Sequence, residues 1–170
     1  WATVGVHPHE ADLGVPWQGD PAAAIPEATR KNWESRKETT LKSLHRLAEE
    51  PRVVAIGEVG LDYHYDHSPR RLQQDLFREF IRLARSTGLP LVVHSREAEE
   101  DTVRILREEG AEKAGGVIHC YGGGRELGDT ALELGFFLGL AGPLTFKNAS
   151  SLRKAAARLP LDRLLVETDC

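Results

Sequence analysis

Residues 53–58 read Val53-Val54-Ala55-Ile56-Gly57-Glu58: four apolar residues in a row, a glycine, then a carboxylate. A strand with one wet face alternates apolar and polar side chains. An unbroken run of this kind predicts a strand covered on both faces, as in a parallel sheet. Working outward in both directions, similar runs recur at residues 3–6, 89–93, 116–118, 136–140 and 164–166.

Helical patterns fill the gaps. After Ser68 as cap and Pro69 in the first turn, Leu72, Leu76, Phe77, Phe80, Ile81 and Ala84 fall on one stripe, and Gly88 ends the helix. Further helices are predicted over 97–109 with Gly110 as stop, over 125–134 with Gly135 as stop, and from near 148 to before Pro160. Residues 29–50 predict a long polar helix with Trp33, Leu41, Leu44, Leu47 and Ala48 facing inward. Residues 12–31, with Pro16, Pro21 and Pro26, predict an irregular surface excursion near the active face.

Six strands alternating with helices define an α/β protein. Two architectures compete, an open doubly wound sheet and a (β/α)8 barrel of the TIM type. A complete barrel takes about 250 residues and eight strands. This chain has 170 residues, contains no Met, opens on Trp1 and stops at Cys170 directly after an apolar run. The expectation is a single domain over 1–170, incomplete at both ends: a barrel truncated to about six strands.

Composition narrows the function classes. Hydrophobic residues make up 41% and charged residues 28%, usual for a globular chain. No apolar run approaches the ~18–20 residues of a membrane helix, and no signal peptide is legible. A net charge of -4 argues against a strongly basic nucleic-acid binder. It leaves open an enzyme that holds phosphate through bound cations. Two cysteines, Cys120 and Cys170, are too few for a disulfide framework and point to a reducing, cytoplasmic setting. No obligate protein partner is evident.

The residues that follow the strands carry the chemistry. The first is followed by His7-Pro8-His9, the second by Gly57-Glu58, the third by His94-Ser95-Arg96, the fourth by His119, and the last by Glu167-Thr168-Asp169. In a barrel these ends converge on one face, where such enzymes keep their active sites. Imidazole with carboxylate suits a divalent metal of the Zn, Mn, Fe or Co kind, whereas Mg prefers oxygen. One histidine at a strand end is commonly just a hydrogen-bonded loop residue, but several strand ends bearing ligand-type residues favour metal binding. His45, His64 and His67 read as solvated. On a regular strand His119 and Cys120 point to opposite sides, which separates the thiol from any metal on His119.

These residues form a recognisable ordered set. Gly5-Val6-His7-Pro8-His9, Ala55-Ile56-Gly57-Glu58-Val59-Gly60-Leu61-Asp62-Tyr63, Val93-His94-Ser95-Arg96, Val117-Ile118-His119-Cys120, Gly142-Pro143-Leu144-Thr145-Phe146-Lys147 and Glu167-Thr168-Asp169-Cys170 resemble the successive motifs of TatD-family hydrolases. The resemblance runs from Trp1 to Cys170. It implies an amidohydrolase-type barrel, with the six strands as the third to eighth. It also implies two divalent metal ions (Mg, Mn or Zn) and hydrolysis of DNA phosphodiester bonds, often from an end, by hydroxide generated at the metals. In that scheme Glu58 bridges the metals, His94 and His119 hold one, and Asp169 holds the other and positions or deprotonates the attacking water. Glu58 and Asp169 are thus the catalytic pair. His7 lies at the mouth of the site for a phosphate contact. Arg96 is a phosphate partner or a brace for the site.

Two departures stand out. The family's His-x-His pair at the end of its first strand has no counterpart in this chain, so the piece alone is expected to be inactive. The stretch 12–31 is longer than the family's pattern leads one to expect, and the family's aromatic-Ser-Gly run after His-Cys also reads Tyr121-Gly122-Gly123-Gly124 here. Rival functions remain: an esterase, amidase, lactonase or aminoacyl-ester hydrolase on the same metal barrel, or a non-catalytic scaffold.

Overall fold

The structure is a computed structural model that describes residues 1–169; Cys170 lies outside the described residues. Six strands, β1 (Ala2–Val4), β2 (Val53–Asp62), β3 (Leu91–Arg96), β4 (Gly116–Ile118), β5 (Phe137–Leu140) and β6 (Leu164–Val166), form one sheet. Every pairing is parallel, and spatial order equals sequence order. A doubly wound sheet needs a reversal of strand order, where helices switch faces. None occurs among these six strands, so they form consecutive staves of a barrel wall, as expected for a truncated (β/α)8 fold.

The connecting helices are α1 (Glu27–Ala48), α2 (Arg70–Thr87), α3 (Glu99–Glu108), α4 (Arg125–Glu133) and α5 (Ser150–Ala156). Strand register sets Val93, Ile118 and Leu138 in one row, and all three are buried. The neighbouring row, Val92, Val117 and Phe137, lies on the opposite face of the sheet and is less covered. The stripe predicted on α2 is fully buried, and Gly88 closes that helix in the left-handed conformation with its N–H on the Ala84 carbonyl. At ~25 cal/mol per Å2 of apolar surface, each such large side chain contributes on the order of 2 kcal/mol.

Several local expectations need correction. The long polar helix runs Glu27–Ala48, so residues 27–31 are helical and not part of the irregular excursion. Leu47 is 48% exposed instead of facing inward, because α1 touches the rest of the protein along a narrow stripe. That stripe is anchored by Trp33, which is fully buried and donates its indole N–H to the Ala11 carbonyl. Ser68 does not cap α2. Its hydroxyl donates to the His9 carbonyl at 2.7 Å and accepts from Asp12 N–H at 3.1 Å, pinning the turn that follows β1.

The most consequential difference is the length of β2. The apolar run 53–56 predicts a short strand, but pairing with β3 continues to Asp62, with a register shift between Ile56 and Val59. Two glycines allow it. A Cβ on Gly57 would stand 2.5 Å from Val92 Cβ, and one on Gly60, where φ is +138°, would collide with the His94 carbonyl. The irregularity re-aims the side chains beyond it, and the extra length carries a second carboxylate, Asp62, to the end of the sheet. Gly60→Ala combines a disfavoured φ with a backbone clash. It should destabilise the protein by roughly 3 kcal/mol or more, read as a shift in a urea unfolding midpoint; a shift below about 1 kcal/mol would contradict the close packing of β2 on β3.

Candidate metal centre

Glu58 follows the glycine at the shift in β2, and three imidazoles surround one of its oxygens. Glu58 Oε1 is 2.7 Å from His94 Nδ1, 3.6 Å from His7 Nε2 and 3.9 Å from His119 Nε2. Burial works to raise the Glu58 carboxyl, but the hydrogen bonds from His7 and His94 and the charge of His119 hold it well below the ordinary carboxylate range. Glu58 is therefore an anion at neutral pH.

Each imidazole has its far nitrogen occupied. His94 Nε2 lies 2.9 Å from Asp62 Oδ2, and His119 Nδ1 lies 2.7 Å from Glu167 Oε2. Asp62 is completely buried. Its other oxygen accepts from the backbone N–H groups of His64 and Tyr65. Burial opposes its ionisation, yet the Tyr65 N–H, His9 and His94 pull its carboxyl down to about 2. A carboxylate takes a proton from the nitrogen that faces it. In the neutral His94 ring with Nε2–H directed at Asp62, the lone pair of Nδ1 meets Glu58, acceptor against acceptor, and only the protonated ring donates to both carboxylates. His119 repeats the pattern, with Glu167 at Nδ1 and both Asp169 (3.0 Å) and Glu58 on the side of Nε2. Burial lowers its proton affinity, but Glu167, Glu58 and Asp169 outweigh that and raise it. Acceptors that converge in this way call for a proton or a cation between them, and a carboxylate behind each imidazole is the usual support of a metal-ligating histidine. The donor set fits a divalent metal.

His7 differs. By distance alone, His7, Glu58 and His94 form the tightest group of ligand-type atoms among the described residues. However, His7 Nδ1 accepts the His9 backbone N–H at 3.2 Å. In the neutral ring the proton then sits on Nε2, which points at Glu58, so His7 presents a hydrogen-bond donor where His94 and His119 present lone pairs.

The elements place these groups tightly. Buried Gln73 of α2 accepts the Asp62 N–H at 2.8 Å and donates to the Asp62 and Ser68 carbonyls, so one polar residue inside an apolar stripe fixes the end of β2. Gly139 of β5 leaves room for Glu167, because a Cβ there would overlap the carboxylate. Cys120 and Asp169 both adopt left-handed backbone, φ +45° and +57°. The turn at Cys120 defeats the strand alternation expected from the sequence. Its N–H donates to Glu167 Oε1 at 2.5 Å and its thiol lies against Asp169, on the side of the cluster. Burial first, then Asp169, Glu167 and Glu58, push that thiol up to about 11, so it stays a neutral thiol at pH 7.

Of the residues singled out in the sequence, Glu58, His94, His119, Asp169 and His7 come together here. Arg96 does not join them. It is exposed, and its guanidinium lies 4.7 Å over the ring of Tyr65. Three further members were missed: Asp62, His9, whose Nε2 is 3.1 Å from Asp62 Oδ2, and Glu167. Glu167 stood in the same strand-end triplet as Asp169. Asp62 was hidden by the assumption that β2 ends at Ile56.

The family model for TatD-related DNases matches residues 1–170. The chain belongs to the TatD-related DNase family. An uncharacterized metal-dependent hydrolase of Bacillus subtilis (strain 168), YabD, is 47% identical over 133 residues, covering 78% of this chain and 52% of that protein. The 3'-5' ssDNA/RNA exonuclease TatD of Erwinia tasmaniensis is 35% identical over 170 residues, covering 99% of this chain and 57% of that protein. The crystal structure of YJJV, a TatD homolog from Escherichia coli K12, superposes with a TM-score of 0.77 at 29% identity, covering 99% of this chain and 57% of that one. The chain thus spans about half the length of the curated relatives it matches. No helix among the described residues is long and apolar enough to cross a membrane.

For this TatD-related chain the buried carboxylate behind His94 gives a direct test. Asp62→Asn keeps the shape but frees the imidazole tautomer. Mn2+ affinity measured by titration calorimetry should fall about 10- to 100-fold, with the melting temperature of the metal-free protein nearly kept. An affinity within twofold of the unaltered protein would contradict the role given to Asp62.

Proposed function

We propose that this chain carries the catalytic core of a metal-dependent phosphodiesterase that hydrolyses single-stranded DNA, working from an end. The observation that carries the reading is the convergence of His94 Nδ1, at 2.7 Å, and His119 Nε2, at 3.9 Å, on the anionic Glu58 carboxylate, with a second carboxylate behind each ring. The 3'-5' ssDNA/RNA exonuclease activity for which the Erwinia tasmaniensis relative is named supports a nucleic-acid substrate. A cytoplasmic setting is part of the proposal and rests on the cysteine usage.

Two divalent cations would be held here, with Glu58 common to both, His94 and His119 completing one position, and Asp169 serving the other. A divalent cation in such a site acidifies water and neutralises phosphoryl oxygens. The remaining work falls to the chain. Asp169 is half exposed and lies 3.0 Å from His119 Nε2, at the edge of the cluster, so it can take the proton of the attacking water. His7 offers its Nε2–H to a phosphoryl oxygen, and Arg96 offers a charge-assisted contact to a phosphate nearby. Water adds to phosphorus and gives one proton to the Asp169 carboxylate, the bond from phosphorus to the leaving sugar oxygen breaks, and that oxygen takes a proton from solvent to leave as an alcohol.

The test is cleavage of end-labelled single-stranded DNA with Mg2+ or Mn2+ by the full-length enzyme, with the family's His-x-His strand in place. Shortening should stop with chelator and fall at least about 100-fold in Glu58→Gln, whose circular dichroism should match the unaltered protein. Near-native cleavage by Glu58→Gln would overturn the assignment. Intact DNA with metal bound would transfer it to ester or amide hydrolysis on the same barrel.

A further inference from the structure

Beside the centre, the turn between β2 and α2, with Arg96 from the end of β3, carries a layered group that lies outside the hydrophobic core. The rings of Tyr65 and His67 are parallel within 1°, with centroids 5.5 Å apart. The Arg96 guanidinium lies 4.7 Å over Tyr65. His64 stands edge-on to Tyr65 at 4.7 Å and is itself held by Glu97 at 2.6 Å. All four members of the stack, His64, Tyr65, His67 and Arg96, are exposed, and Tyr65 keeps 49% of its surface open. Tyr65 is absent from the hydrophobic core and from the residues packed against it. A large aromatic side chain left outside the core forgoes the burial that usually stabilises it, so its place calls for another explanation.

The group is joined to the hydrolytic residues by one ring. His9 stands edge-on to Tyr65 at 5.4 Å and to His67 at 4.7 Å. On its other side it is 4.3 Å from the His7 ring, and its Nε2 shares Asp62 with His94. Two ring-to-ring steps therefore separate Tyr65 from the group that faces Glu58, a span on the scale of one nucleotide.

We propose that Tyr65 and His67, with Arg96, form a stacking subsite for an unpaired nucleobase of the strand whose phosphate lies at Glu58. The proposal rests on the phosphodiesterase reading above. Aromatic faces accept any base through its π-surface, and a guanidinium adds a cation–π layer and a phosphate partner. A base inside a duplex is stacked on its neighbours and cannot enter such a layer without being extruded. The subsite thus selects single strands while tolerating sequence. It also places a cationic group beside the site in a chain whose net charge is -4.

The experiment compares a single-stranded oligonucleotide with one of the same backbone made abasic, each cleaved by the metal-loaded full-length enzyme, by its Tyr65→Ala variant and by its Tyr65→Phe variant. Base–aromatic stacking is worth ~1–3 kcal/mol per base, so kcat/KM should favour the normal strand by roughly 10-fold or more. The difference should lie mainly in KM. Tyr65→Ala should bring the two strands to near equality, and Tyr65→Phe should restore the preference; melting curves identify any variant that is merely unfolded. A protein that cuts both strands equally, or a preference that survives Tyr65→Ala, overturns the subsite and leaves the phosphodiesterase reading standing. Failure to cut either strand overturns that reading, and the subsite with it.

Discussion

Glu58 stands among three imidazoles because the backbone beneath it comes closer to β3 than any residue with a side chain could allow. Gly57 faces Val92, and Gly60, at φ +138°, faces the His94 carbonyl. Between these two contacts the strand slips register, and Glu58, at the slip, reaches His94 with its side chain while β2 stays paired long enough to deliver Asp62. One constraint, contact of two backbones at two glycines, thus places a carboxylate in front of the His94 ring and another behind it. Large apolar residues on α2 hold β2 against this arrangement, and Gln73 fixes its far end with three hydrogen bonds.

The other half of the centre is built by the same logic with different parts. Gly139 vacates the space that Glu167 fills, and Glu167 holds both His119 Nδ1 and the Cys120 N–H. The left-handed turns at Cys120 and Asp169 bring their side chains to the side of His119. Non-glycine residues at positive φ are uncommon, and they persist where the surrounding structure over-determines them. Here the hydrogen bonds of Glu167 and His119 do so. The result is negative charge on both sides of His94 and of His119, an arrangement that calls for positive charge inside it.

Much of this was legible in the sequence. Continuous apolar runs gave the parallel sheet, because a strand covered on both faces has no polar alternation to show. Residue types at the strand ends gave Glu58, His94, His119, Asp169 and His7, because parallel strands deliver all their carboxyl ends to one side. What escaped were positions fixed by backbone exceptions. The length of β2 depends on glycines whose value lies in what faces them across the sheet, and a single chain read in order does not display that contact. Asp62 therefore looked like a loop residue, and Cys120 looked like a strand residue turned away from the centre. Ser68 and Leu47 failed for the ordinary reason that tertiary partners override local preference: Ser68 serves the His9 turn, and α1 buries little beyond Trp33 and Ala48.

The most direct measurement is a crystal structure of the protein grown with Mn2+, with anomalous differences collected to locate the metal. An anomalous peak should lie among Glu58 Oε1, His94 Nδ1 and His119 Nε2, at ligand distances of about 2.0–2.3 Å. His94 Nε2 should remain on Asp62, and His119 Nδ1 on Glu167. A protein without bound Mn2+, or with Mn2+ bound away from Glu58, would contradict the claim that the imidazoles facing Glu58 are arranged for a cation.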